Sequence, residues 1–435
     1  MEIIKYPGHN LWRSITERPH IDMSQLNATV CEILHDVRKR GDAAVKEYEK
    51  KFDHACIDSL AVSRHEIDDA RLKIPERLKE SIKLAHHNIK IFHEAQRLCS
   101  NKTETQPGVT CWQKSVAIPR VGLYIPGGTA PLFSTVLMLA TPAKIAGCDE
   151  IILCTPPGKD GNVNPAILFA ASVAGVSRIF KAGGVQAIGA MAYGTDEIPK
   201  VYKIFGPGNQ YVMAAKQQVS LYDVAIDMPA GPSEVCVIAD ETADVTFVAA
   251  DLLSQAEHGT DSQVLLITTD ENMLNNILSE TERQLAMLPR KDIASKSLAN
   301  SKLILVRDKD EAVKLANAYA PEHLIIQTSD YELLSDKIIN AGSVFLGKYA
   351  CESAGDYASG TNHTLPTNGY AVSYSGVNLD SYCKKITFQH LTAEGVCNIG
   401  PAVEAMAEAE SLYAHKNAMS LRLNKIRNNN INIQD

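Results

Sequence analysis

The sequence predicts an α/β fold: two related domains with parallel-sheet cores, a helical N-terminal segment before them and a C-terminal helical arm after them. Three observations carry this expectation. Short apolar runs alternate with helix-length segments from about residue 112, the pattern of parallel βαβ units. The same alternation restarts near residue 233. Outside these blocks, apolar residues recur at helical spacing instead.

Residues 1–110 read mainly as helix. Val30, Ile33, Leu34, Val37, Ala44 and Tyr48 line one face over 24–51. A second periodic stretch covers 66–98, with a turn near Pro75 and a solvated face at Lys79, Glu80 and Lys83. No catalytic cluster occurs here, so the region reads as a scaffold or dimer contact. In the first α/β block, 111–232, Val116–Ile118 and Val121–Ile125 are strand-like and run into the turn Pro126-Gly127-Gly128. A helix over 132–146, a strand over 150–154, a helix over 166–174 and a strand over 178–180 follow, then Gly183-Gly184 and another helix. The second block, 233–375, has strand patterns at 234–239, 263–268, 301–306, 324–327 and 343–346, with helices over 243–257, 271–288 and 309–319. Residues 348–398 are dense in Gly, Ser, Tyr, Asn and Thr, too polar for core, and so long a loop inside an enzyme is usually functional. Residues 376–435 read as a helical tail, either an arm laid on a neighbouring subunit or a plain terminal helix.

Composition narrows the function classes. The chain has 435 residues, 45% hydrophobic and 22% charged, enough for a sizeable core in two or three domains. A net charge of −8 argues against a nucleic-acid partner. No apolar run reaches membrane-spanning length, and the first residues lack a signal-peptide core, so no membrane is expected and the cytoplasm is the expected compartment. Ten cysteines are scattered without a CxxC pair, which fits reduced core residues better than a disulfide framework.

Several polar groups stand out. Gln255 and His258 are three apart near the end of an amphipathic helix, so they share a face, with Gly259 expected to end the helix. They are metal-ligand candidates or simple cap residues. Glu322-His323 follows Pro321 at the start of a strand; a carboxylate beside an imidazole suits paired proton transfers, and a solvated turn is the plainer reading. Asp356 and His363 lie in the polar loop and offer an oxygen and a nitrogen donor. His415 sits in the tail, five residues after Glu410. The dinucleotide fingerprint GxGxxG and the phosphate-binding GxxxxGK[ST] are both absent. Gly206-Pro207-Gly208-Asn209-Gln210 and Tyr124–Thr129 are glycine-containing turns that could hold a phosphate at a helix start.

Taken together, VGLYIPGG, IFGPGNQYV, DMPAGPSEV, DLLSQAEHG, YAPEHL and SAGDYASGTNH, in this order, resemble the histidinol dehydrogenase family, and the resemblance runs from about residue 25 to 427. It implies two incomplete Rossmann-like domains and a cytoplasmic homodimer with active sites shared between subunits. It implies two successive NAD-linked oxidations, L-histidinol to L-histidinaldehyde and then to L-histidine, at the end of histidine biosynthesis. One zinc per subunit would be held by Gln255, His258 and Asp356, with His415 supplied by the partner subunit. Glu322 and His323 match the acid–base pair: His323 takes the hydroxyl proton and Glu322 activates water. Ser233, His363 and Glu410 match substrate positions, alongside the metal ligands and His323. Tyr124, Gln186 and Asn209 match cofactor positions. The zinc would anchor the substrate imidazole rather than polarise the alcohol. A thiohemiacetal on Cys111 or Cys148 is chemically reasonable for an aldehyde step, but nothing in the sequence places either sulfur near Glu322. A metal-dependent hydrolase using the same residues without NAD, and a nucleotide-binding module without catalysis, are the alternatives.

Overall fold

Strands buried on both faces should be mainly apolar runs, and the central strands of the two large sheets are. The computed structural model describes residues 1–18, 24–98, 100–127, 131–229 and 231–431. In chain order the strands are β1 Glu2–Lys5, β2 Thr103–Gln106, β3 Val109–Ala117, β4 Arg120–Tyr124, β5 Glu150–Thr155, β6 Arg178–Lys181 and β7 Lys203–Phe205. They continue as β8 Ala225–Ile226, β9 Glu234–Ala239, β10 Gln263–Thr268, β11 Lys302–Leu305, β12 His323–Gln327, β13 Ser343–Leu346 and β14 Cys383–Leu391.

Two parallel sheets form the core of a unit comprising Met1–Gln96 and Ile118–Tyr382. The first has the order β6-β5-β4-β7-β8, and the second β1-β11-β10-β9-β12-β13. All pairings in both are parallel. Each block starts at its sheet's centre, lays its next two strands to one side and its last two to the other. That is the order of a dinucleotide-binding half, with a reversal of direction between β4 and β7 and again between β9 and β12. The expected α/β class with two Rossmann-like parallel cores is therefore what the chain adopts.

Pleating divides the core of the second sheet into two faces. Val235, Val237 and Ala239 of β9 pack with Leu252, Leu266 and Leu303 on one side. Cys236 and Ile238 pack with Leu265, Ile304 and Ile326 on the other. Each fully buried Val, Leu or Ile among them contributes about 1.5–3 kcal/mol. Cys154 and Cys236 are entirely buried, and burial pushes both thiols well above their ordinary range, so they are packing residues.

Three local readings are revised. The stretch over 24–51 is two helices, Ser24–Arg40 and Asp42–Tyr48, broken at Gly41, whose φ of +55° breaks the helical path. The first residues are strand rather than helix: β1 covers the free edge of β11, whose backbone groups would otherwise lack partners. Residues 383–391, read as part of a helical tail, form β14. Their polar composition hides a period-two pattern, but all nine residues pair with β3, from Cys383↔Ala117 to Leu391↔Val109.

That antiparallel β14-β3-β2 sheet belongs to a second unit, Arg97–Ala117 with Cys383–Asp435, together with the helices Ala393–Ala409 and Tyr413–Ile431. Among the described residues no helix is long and apolar enough to cross a membrane.

Candidate active site

The two sheets present opposite edges to the candidate residues. Tyr124 ends β4 and the turn Gly206–Gly208 follows β7, both at the carboxyl edge of the first sheet, beside its switch point. Ser233 precedes β9, Glu322 precedes β12 and His323 opens it, at the amino edge of the second sheet. A cavity of about 130 Å³ links these edges, lined by Gly206, Pro207, Lys216, Ser233, Glu322 and His363 among others. A larger open cavity, about 620 Å³ around Trp112 and Phe388 in the second unit, holds none of the candidate residues.

Local chain geometry places Glu322 and His323. Ala320 ends the helix Lys309–Tyr319 in the left-handed conformation, and Pro321 directs the chain straight into β12. Both side chains then meet the backbone of Glu234. Glu322 Oε2 accepts its N–H at 2.9 Å, and His323 Nδ1 donates to its carbonyl at 3.2 Å. In the neutral imidazole that bond leaves the lone pair on Nε2, which is buried and has no hydrogen-bond partner. Asp356 Oδ1 lies 3.6 Å from it, beyond hydrogen-bonding reach. Glu234 is itself clamped, its carboxylate taking two bonds from Arg18 at 3.0 and 2.9 Å.

Charges in this corner are strongly perturbed. Burial pushes Glu322 up to about 7. Burial works against a charge on His323, but Glu352, Glu322 and Asp356 outweigh it and push the imidazole up to about 10. Burial pushes Glu352 up to about 8. Burial opposes the charge on Asp356 too, yet His323, His363 and His258 hold it below its ordinary value. Burial holds His258 and His363 down, so both favour the neutral form that ligates or accepts. Glu322, Glu352 and Asp356 around the largely buried His323 and His363 form an unfavourable arrangement for a protein alone.

The donors fit a divalent metal. Ligand atoms of His258, Glu352 and Asp356 lie within 4.8 Å of one another. Gln255, fully buried, reaches the same place. In one orientation its amide nitrogen donates to Glu352, 2.8 Å to Oε2, while its oxygen accepts the Glu234 N–H at 3.1 Å. In the other, its oxygen faces the Glu352 carboxylate with no hydrogen between them. Oxygens converging in that way are satisfied by a cation.

A sequence model of the family Histidinol dehydrogenase matches residues 16–423. Histidinol dehydrogenase of Bacteroides fragilis is 65% identical over 427 residues, spanning 98% of this chain and 100% of that protein. The enzyme of the same name from Escherichia coli O6:H1 is 51% identical over 418 residues, 95% of each chain. The crystal structure of histidinol dehydrogenase from Elizabethkingia anophelis superposes with a TM-score of 0.97 at 54% identity, covering 98% of this chain and 99% of that one. The chain belongs to the histidinol dehydrogenase family.

Within this family member, Gln255, His258, Glu322, His323, Asp356 and His363 gather in one corner although up to about a hundred residues separate them in sequence. Asp356 sits on a short helix, Glu352–Tyr357, rather than in a loop. His258 lies just beyond its helix, which ends at Ala256 with Glu257 as cap; Gly259 does not adopt the left-handed conformation expected of it. His363 is oriented through Nδ1 to the Asp356 carbonyl at 3.0 Å, so Nε2 accepts from Thr135 at 3.1 Å. Tyr124, Gln186 and Asn209 lie at the first sheet: Tyr124 accepts the Gly184 N–H at 3.0 Å, and Asn209 caps the helix Gln210–Ser220. Gly128 and Thr129 of the Tyr124–Thr129 turn lie outside the described residues. Glu410, the cap of the helix Ala393–Ala409, and His415, in the first turn of the helix Tyr413–Ile431, are both exposed. Cys111 is half-buried on β3, and Cys148 is buried after the helix Phe133–Ala146. Sequence reasoning missed Glu352, Glu234 and Arg18. Glu352 opens a short helix in a polar stretch, where a lone carboxylate reads as solvated.

Proposed function

We propose that this chain oxidises L-histidinol to L-histidinaldehyde and then to L-histidine with NAD as oxidant. The observation that carries the reading is the buried Glu322–His323 pair: Glu322 lines the cavity that leads to the Gly206 turn, and His323 Nε2 lies 3.6 Å from Asp356 of the metal-donor cluster.

Gln255, His258 and Asp356 would hold one zinc per subunit, with His415 of the partner subunit completing the set in a homodimer. Zinc supplies a fixed positive charge and an anchor for the substrate imidazole. Tyr124, Gln186 and Asn209 would hold NAD, which would supply the hydride acceptor for each oxidation. His323 Nε2 takes the alcohol proton as that hydride leaves the carbon. Glu322 then removes a proton from water as the oxygen adds to the aldehyde carbon, and His323 returns the alcohol proton to the aldehyde oxygen, completing the hydrate. The hydrate gives one hydroxyl proton back to His323 as its hydride passes to a second NAD, and the acid formed ionises to the carboxylate of histidine. Ser233 and His363 border the cavity and orient the substrate, and Glu410 pairs with its amino group. The first sheet thus carries the cofactor, the second the metal and the proton transfers.

The test is a single assay. Zinc-loaded protein with L-histidinol and NAD at alkaline pH is expected to form two NADH per histidinol, with activity lost on chelation and restored by zinc. No NADH from the zinc-loaded protein overturns the reading. Mixing His415→Ala with Gln255→Ala chains tests the shared site: activity regained in the mixture supports a ligand from the partner, and none counts against it.

A further inference from the structure

Glu322 and His323 both hang on one residue, and that residue is held by an arginine 216 positions earlier in the chain. Glu234 opens β9, and its backbone serves both side chains. Its N–H donates to Glu322 Oε2 at 2.9 Å, and its carbonyl accepts from His323 Nδ1 at 3.2 Å. Anything that turns this piece of backbone therefore moves the two groups together. The Glu234 carboxylate, 1% exposed, is gripped by Arg18. Arg18 Nε donates to Glu234 Oε1 at 3.0 Å and Nη2 to Oε2 at 2.9 Å. Nη2 also donates to the Tyr319 carbonyl, and Nη1 to the Thr16 carbonyl at 3.0 Å. Four of the five guanidinium N–H groups are thus committed.

The clamp joins the entries of two neighbouring strands. Tyr319 ends the helix that leads through Pro321 to Glu322, and the Arg18 guanidinium lies over its ring, 3.9 Å from the centroid. Tyr319 is fully buried and donates its hydroxyl to Gln263 at 2.8 Å. Beyond Glu234, the Asn368 N–H donates to Oε1 at 2.8 Å. The next residue, Gly369, has a φ of +74°, and a side chain there would begin 3.3 Å from Arg18 Nη1. A lysine could not take this place. Its ammonium is a compact charge that cannot fork onto a carboxylate, stack on a ring and reach two carbonyls at once. A pair this dry adds little net stability, because desolvation offsets the attraction. What it supplies is direction.

Resting on the reading of Glu322 and His323 as the groups that move protons, we propose that Arg18 and Glu234 are positioning residues for both oxidations. Arg18 fixes the Glu234 carboxylate, the carboxylate fixes its own backbone, and the backbone aims Glu322 and His323. Displacing such a support by about 1 Å costs a reaction about 100-fold in rate. The loss falls on both steps, because His323 serves both and Glu322 the second.

Steady-state and stopped-flow kinetics of the zinc-loaded full-length protein test this. Arg18→Ala is expected to lower kcat by about 100-fold and to change the histidinol KM by less than about three-fold. The first and second NADH are both expected to slow. Guanidinium at a concentration that leaves the protein folded is expected to recover about ten-fold of the loss, and methylammonium none of it. The double variant Arg18→Ala/Glu234→Gln removes the unpaired buried charge. It is expected to be no slower than Arg18→Ala, because the two residues act as one unit. If Arg18→Ala does not fold, Arg18→Lys takes its place, with kcat expected to fall by about ten-fold at an unchanged melting transition. A folded variant with the natural kcat overturns the proposal. So does a loss that guanidinium leaves untouched, which would make the arginine a structural brace, and so does a loss confined to the second NADH. Failure of the dehydrogenase reading would show separately, as no NADH from histidinol with the natural protein.

Discussion

At the scale of single residues, the proposed mechanism gives Glu322 and His323 different tasks because their environments differ. The Nδ1–H of His323 is committed to the Glu234 carbonyl, so its neutral form offers Nε2 as the base; with the imidazole pushed up to about 10, that form grows as pH rises. Glu322 keeps one oxygen on the Glu234 amide and the other for water. A Glu322→Gln enzyme is therefore expected to keep most of its first oxidation and to lose the second by about 100-fold or more. Stopped-flow counting of the first and second NADH reads this directly, and an equal loss of both refutes the division. Glu49 makes a different prediction. Burial moves its carboxyl from an ordinary 4.5 unfolded to about 8 folded. The folded protein then keeps a proton that the unfolded chain has lost. Stability contributed by this group is full below about 4.5 and declines as pH rises towards 8, by at most about 1.4 kcal/mol per pH unit. Urea unfolding at several pH values should show a flatter profile in Glu49→Gln; the same slope in both proteins would rule out the shift. At this scale the sequence was least legible. Glu322-His323 could be seen as a pair, but Glu49 was one acid on an ordinary helix, and nothing local marked its contact with Gly183, 134 residues away.

At the scale of elements, one turn is held with unusual care. Gly206 has a φ of +132°, and a side chain there would begin 2.1 Å from the Tyr124 carbonyl. Its N–H is taken by Asp227 at 2.8 Å and its carbonyl by Lys216 at 2.7 Å. Lys216 and Asp227 also pair with each other, both almost wholly buried. The ion pair thus holds both polar groups of one glycine and sets the wall of the cavity that reaches Glu322. Gly206→Ala is expected to cost about 1–3 kcal/mol in backbone strain, before the clash is counted, and to weaken NAD binding more than histidinol binding. Thermal melting and the two Michaelis constants measure this, and an unaltered NAD constant would show the turn to be purely structural. The motif around Gly206 was visible in the sequence as a glycine-rich helix start. The ion pair was not, because Lys216 falls on what looks like a solvated position of a helix.

At the scale of the whole chain, alternation of strand and helix disclosed both parallel cores, since buried parallel strands are apolar throughout and their crossovers are long. It could not disclose β14, where polar residues carry the pairing, or the N-terminal strand that completes the second sheet. Nor could it disclose that the halves use different edges. The first offers its carboxyl edge and the second its amino edge, so one site arises from two similar folds. The second sheet has a carboxyl edge as well, the place where such a sheet would ordinarily take a nucleotide. There Asp240, directly after β9, holds Lys309 at 2.8 Å, which also bonds Asp330 at 2.6 Å, while Ser329 donates its backbone N–H to Asp240 at 3.0 Å. That closed ionic plug has a numerical consequence. A chain with two dinucleotide-type halves has vacancy for a single coenzyme, and equilibrium dialysis should saturate at one NAD per polypeptide, not two.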